Sequence, residues 1–104
     1  MRAGGVHNTY TGTVTGAGAI VTIGLGFIPA HVMVYNETDA LRWEKIYDQV
    51  DANTIKTVTA GTQTTDTSSA IVIGNDTNGI AKGSIQLSAA LAASGKALVV
   101  LARV

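Results

Sequence analysis

A chain of 104 residues with 7 basic and 7 acidic side chains has room for one core and no charge excess that would gather phosphate backbones, anionic lipid or acidic substrates. It has no cysteine, which excludes disulfides, thiolate chemistry and sulfur-ligated metals. Charged residues are 13% of the chain against roughly 25% in soluble domains, so Thr, Ser, Gly and Ala must cover a surface left with apolar area to spare.

Residues 1–8 hold Arg2 and no apolar core, so they read as a flexible N-terminal arm and not as a signal peptide. From Thr9 to Thr15 every odd position is Thr while Tyr10, Gly12 and Val14 alternate with them, the period-two pattern of a strand with one hydroxyl face. Gly16-Ala17-Gly18 turns the chain into an apolar strand over Ala19 to Ile23, and the two strands suggest a hairpin. Pro29 holds Ile28 extended, and Phe27 and Ile28 plug one end of the core. The strand from Ala30 to Tyr35 puts Val32 and Val34 on one face and His31, Met33 and Tyr35 on the other. Bulk on both faces marks it as central or interfacial.

Asn36 to Asp39 is a polar turn. In the following strand, Leu41 to Tyr47, alternation groups Leu41, Trp43 and Tyr47, with the Lys45 stem along the aromatics and its ammonium in water. Arg42 and Glu44 face the other way. A polar connection leads to "TIKTVTAGTQTT", a Thr-rich strand and turn, then to "SAIVIG", a short apolar strand, and to the turn "NDTNG". "SIQLS" is a further strand. "AALAASG" matches neither period, and reads as one helical turn or an irregular loop. Lys96 to Val104 is a last strand, apolar on both sides through Leu98 and Val100 on one and Val99 and Leu101 on the other. The sum is an all-β chain: an antiparallel β-sandwich or barrel of about eight short strands over residues 9–104.

Chemistry is sparse. The two histidines, His7 and His31, lie in the arm and mid-strand, and neither has a Ser or Thr nucleophile in a recognisable arrangement. Asp48 and Asp51 sit in a turn-rich loop where Asp is at home without a catalytic role. "NDTNG" is too poor in oxygen ligands for a calcium loop, and "SGKA" lacks both the earlier glycine and the later hydroxyl of a phosphate loop. No catalytic, cofactor or metal residue is assigned. Trp43 and Tyr47 form a candidate stacking platform for carbohydrate beside the Thr face, against the plainer reading of core or interface filling.

The ordered set "GFIPAHVMVYNETD", "LRWEKIYD", "TIKTVTAGTQT" and "ASGKALVVLARV" resembles a group of small tailed-bacteriophage virion proteins. Those show a GF-x-P bend, a V-x-V-x-N strand and turn, a Trp-bearing strand, a K-T-V-T-A-G-T segment and a final S-G-K strand. The likeness covers roughly residues 10 to 104. The chain departs from it in the last strand, where Ala97, Leu98 and Val99 replace frequent aromatics. The resemblance implies a head decoration, or cement, protein: non-enzymatic, made in the bacterial cytoplasm, bound to the major capsid protein on the capsid exterior, and homotrimeric. Met33, Tyr35, Val99 and Leu101 are then the candidate assembly interface. The alternative is a tail-fibre or receptor-binding module gripping host carbohydrate through Trp43 and Tyr47. Neither reading calls for a cofactor, nucleic acid or a membrane.

Overall fold

The computed structural model describes residues 8–47 and 49–104. Among the described residues there are nine strands, β1 (Thr9–Thr15), β2 (Val21–Gly24), β3 (His31–Asn36), β4 (Leu41–Ile46), β5 (Thr54–Thr57), β6 (Gln63–Asp66), β7 (Ile71–Ile73), β8 (Ser84–Leu87) and β9 (Ala97–Arg103). They form two antiparallel sheets, one of six strands in the order β1-β9-β3-β4-β5-β6 and one of three in the order β2-β8-β7. The all-β expectation holds. No helix occurs among the described residues.

The inner face of the large sheet follows from alternation. Val32 and Val34 of β3, Trp43 of β4, and Leu98, Val100 and Ala102 of β9 point inward and meet Ile23 of β2, Ile71 and Ile73 of β7, and Ile85 and Leu87 of β8. Branched side chains suit both the extended backbone and the flat contact between sheets. Strand β9 lies between β1 and β3, inside the large sheet, with Leu98, Val100 and Ala102 in the core and Val99 and Leu101 half-buried on the other face. Residues 88–96 make two successive turns, the first closed by the Ala92 N–H donating to the Ser88 carbonyl at 2.9 Å and the second by the Lys96 N–H donating to the Ala93 carbonyl at 3.2 Å, with Leu91 and Ala92 buried as a plug. Phe27 and Ile28 pack half-buried against the same core.

Two expectations are corrected. Strands β1 and β2 do not form a hairpin; they belong to different sheets, and β1 pairs with β9. Past β1 the chain is tied to the turn that precedes β9, through Gly16 N–H to the Lys96 carbonyl at 2.9 Å, Gly95 N–H to the Gly16 carbonyl at 2.8 Å and Gly18 N–H to the Ala92 carbonyl at 2.9 Å. Those bonds hold the Gly-Ala-Gly segment as a crossing between layers. The second correction concerns Lys45, which shares the inner face with Trp43 and is only 1% exposed. Its ammonium donates to the carbonyls of Val50 at 2.6 Å, Asn53 at 2.7 Å and Asp51 at 3.0 Å. Three donors meet three acceptors, so the charge is satisfied without water.

Candidate docking surface

The outward residues of the large sheet form a grid fixed by register. One row runs Thr11, Leu101, Met33, Glu44, Ile55, Thr65, and the next runs Thr13, Val99, Tyr35, Arg42, Thr57, Gln63. The four residues predicted as an assembly interface thus lie side by side: Met33 faces Leu101 and Tyr35 faces Val99 across β3 and β9. Tyr35 is 38% exposed and the other three are half-buried.

This apolar strip has two unlike margins. Toward β1 it meets the exposed hydroxyls of Thr11 and Thr13. Toward β4 it meets a charged rim in which one Glu44 carboxylate oxygen lies 3.1 Å from His31 Nε2 and the other 3.1 Å from Arg42 Nε. The Arg42 Nε proton is not aimed at that oxygen, and Nε makes no hydrogen bond. The pair is therefore a charge contact between part-exposed side chains, worth little to stability. Sequence parity with Glu44 also places Ile46 here, half exposed beside His31, and Ile55 beyond Glu44. Both are apolar members of the face that the sequence reading did not assign; their even and odd positions on β4 and β5 were the available signal.

A pocket of about 290 Å³ opens where β3 ends, walled by Trp43, Leu41 and Leu91 with Asp39, Asp66 and Lys56 around it. Trp43 is 5% exposed, its Nε1 donates to Asp66 Oδ2 at 3.2 Å, and the Lys56 ammonium stands 5.2 Å from the ring centre. Burial pushes the Asp66 carboxyl up, but the hydrogen bonds from the Ser68 hydroxyl and backbone, the Trp43 bond and the nearby Lys56 charge outweigh it, and the group sits below its ordinary value. Asp39 is engaged by the Asn36 amide and the Lys96 ammonium.

Tyr47 is elsewhere. It is half exposed and lines a separate hollow with Ile28, Pro29 and Ala30 at the end where β3 begins. The structure therefore does not bring Trp43 and Tyr47 together as a platform, because Trp43 faces the core and Tyr47 follows the last residue of β4 at its far end. His7, Asp48 and the arm over 1–8, apart from Asn8, lie outside the described residues. Among the described residues no cluster of three His, Cys, Asp or Glu could hold a metal, and no helix is long and apolar enough to cross a membrane. Compared with known families, with curated proteins and with solved structures, the chain matches none.

Proposed function

We propose that this chain is a non-enzymatic structural subunit of a phage virion, a head decoration protein that seats the outer face of its six-stranded sheet on the major capsid protein. One observation carries the docking part: Met33, Tyr35, Val99 and Leu101 form a contiguous outward apolar strip on the two central strands, while the opposite face of those strands already has a complete core. A sandwich needs one apolar face per sheet; the second face suits a partner. The phage setting rests on the ordered segments named above. Spread over flat sheet, such contacts would add area bridging neighbouring capsid subunits and so resist internal pressure.

Quantitative protein counting on purified virions tests the setting. Hundreds of copies on the head support it, and a handful at the tail tip would overturn it. Binding of the purified protein to heads stripped of it tests the surface: Leu101→Glu, folded by circular dichroism, should lose binding, and unimpaired binding would discard this face.

The tail-fibre reading keeps one observation in its favour, the pocket beside Trp43 with Asp39, Asp66 and Lys56. The slight exposure of Trp43 argues against stacking of a sugar ring on its face. Titration of host-surface oligosaccharides against Trp43 fluorescence decides it; a saturable change would revive this reading.

A further inference from the structure

The seven residues of β1, Thr9-Tyr10-Thr11-Gly12-Thr13-Val14-Thr15, read nearly the same in both directions about Gly12. Strand β1 is an edge: it pairs with β9 on one side, and no strand among the described residues occupies the other. Natural edges are blunted by shortness, charge, proline or a bulge. The remaining edge strands comply, since β2 and β6 have four residues, β6 ends in Asp66, and β7 has three. Strand β1 has seven residues, none charged and none proline, and its register with β9 runs unbroken from Thr9 to Thr15.

The direction of its free backbone groups follows from the bonds at its two ends. Val104 N–H donates to the Asn8 carbonyl, and Gly16 N–H to the Lys96 carbonyl. Hydrogen-bonded pairs alternate with non-bonded ones along an antiparallel ladder, so the even residues Tyr10, Gly12 and Val14 spend their N–H and C=O groups on β9. Thr9, Thr11, Thr13 and Thr15 point theirs away from the sheet.

We infer that β1 pairs antiparallel with β1 of a second copy of this chain, about a twofold axis at Gly12. The register is then dictated. Thr11 lies opposite Thr13 of the partner subunit and Thr9 opposite Thr15 of the partner subunit, all of them residues whose outward groups are unspent. Gly12 meets its own copy as a non-bonded pair, the closest kind of approach, with Cα atoms about 4.5 Å apart. A glycine tolerates that approach. Threonine faces threonine on the outer side, a favourable cross-strand pair. On the inner side half-buried Tyr10 lies opposite Val14 of the partner subunit, which extends the core margin across the axis. A shift by one residue would set outward groups against spent ones, so parity and near-palindrome select the same solution. The product is one continuous sheet joining two six-stranded halves, an isologous contact, in place of the trimer that the resemblance implies. It stands independently of the virion reading.

Sedimentation of the intact protein gives the mass, expected at twice the 10.6 kDa of one chain. Thr11→Pro removes an outward N–H that β9 does not use, as proline is tolerated on a free edge, and should halve the mass with an unchanged circular dichroism spectrum. Met33→Glu, on the sheet's outer face, should leave the mass as it is. Amide exchange supplies a readout without substitution: the Thr11 and Thr13 amides should be protected in the pair and lose protection on dilution. A single-chain or three-chain mass for the wild type would overturn the inference. So would a mass that responds to Met33→Glu and not to Thr11→Pro, or Thr11 and Thr13 amides protected at single-chain mass, which would mean that the chain's own residues cover the edge.

Discussion

Lys45 organises the connection between β4 and β5. Placed on the inner face by alternation, it reaches the end of the core, where the carbonyls of Val50, Asp51 and Asn53 close around its ammonium. Burial lowers its proton affinity, and the Asp51 charge opposes that only in part. Lys45→Ala removes three methylenes and the ammonium with its three donors, and should cost about 2 to 4 kcal/mol in urea unfolding. Lys45→Met keeps most of the stem while losing the same donors, and should cost less; a Lys45→Met protein as stable as wild type would mean that the carbonyl bonds contribute nothing. Asp66 supplies a pH dependence. Its folded-state proton affinity is depressed, so its contribution is complete above the unfolded value of about 3.9 and disappears as pH falls through the lower folded value. The stability advantage of wild type over Asp66→Asn should therefore be flat above about pH 4 to 5 and shrink below it, measured by denaturant melts at stepped pH. A gap that stays constant into the acid range would dismiss the role of the Trp43, Ser68 and Lys56 contacts.

Among the elements, the partner of β1 is the one that local pattern could not reveal. Thr alternation marks β1 as a strand, and Gly16-Ala17-Gly18 marks a change of direction, but a hairpin and a crossing between sheets share both signals. The outcome is decided near the chain's other end, where β9 needs a neighbour on each side and Lys96 and Ala92 offer carbonyls to Gly16 and Gly18. Lys45 misled for a related reason: a lysine next to aromatics reads as a surface side chain unless the carbonyls that receive it, five to eight residues onward, are known to fold back. The outer strip was legible because period two is strict in β3 and β9 and both faces carry bulk. The pocket was not, since Asp39, Lys56 and Asp66 converge only through the register of β4, β5 and β6. Gly16 tests the crossing. A methyl there would run into the Ala93 carbonyl and the Ala92 backbone, so Gly16→Ala should cost about 1 to 3 kcal/mol. Amide exchange should show the loss first at the Gly16 to Lys96 closure, and an unperturbed protein would mean that this approach is not tight.

At the scale of the whole molecule, one strand serves two surfaces. Leu98 is 1% exposed and belongs to the core between the sheets, whereas Leu101, three residues along β9, lies half-buried beside Met33 on the outward strip. If the core between the layers alone holds the fold, the two leucines should separate cleanly. Leu98→Ala leaves a cavity between sheets and should cost about 2 to 5 kcal/mol. Leu101→Ala removes a side chain that solvent already reaches and should cost less than about 1 kcal/mol, while weakening whatever seats on the outer face. Urea unfolding at a concentration fixed across variants measures both, because any pairing of chains adds a mass-action term to apparent stability. Equal costs would make the outer strip part of the fold's own support, and a low charge fraction would then reflect stability and not contact with a partner. A small Leu101 cost with lost binding would assign the surplus apolar surface, visible already in composition, to assembly.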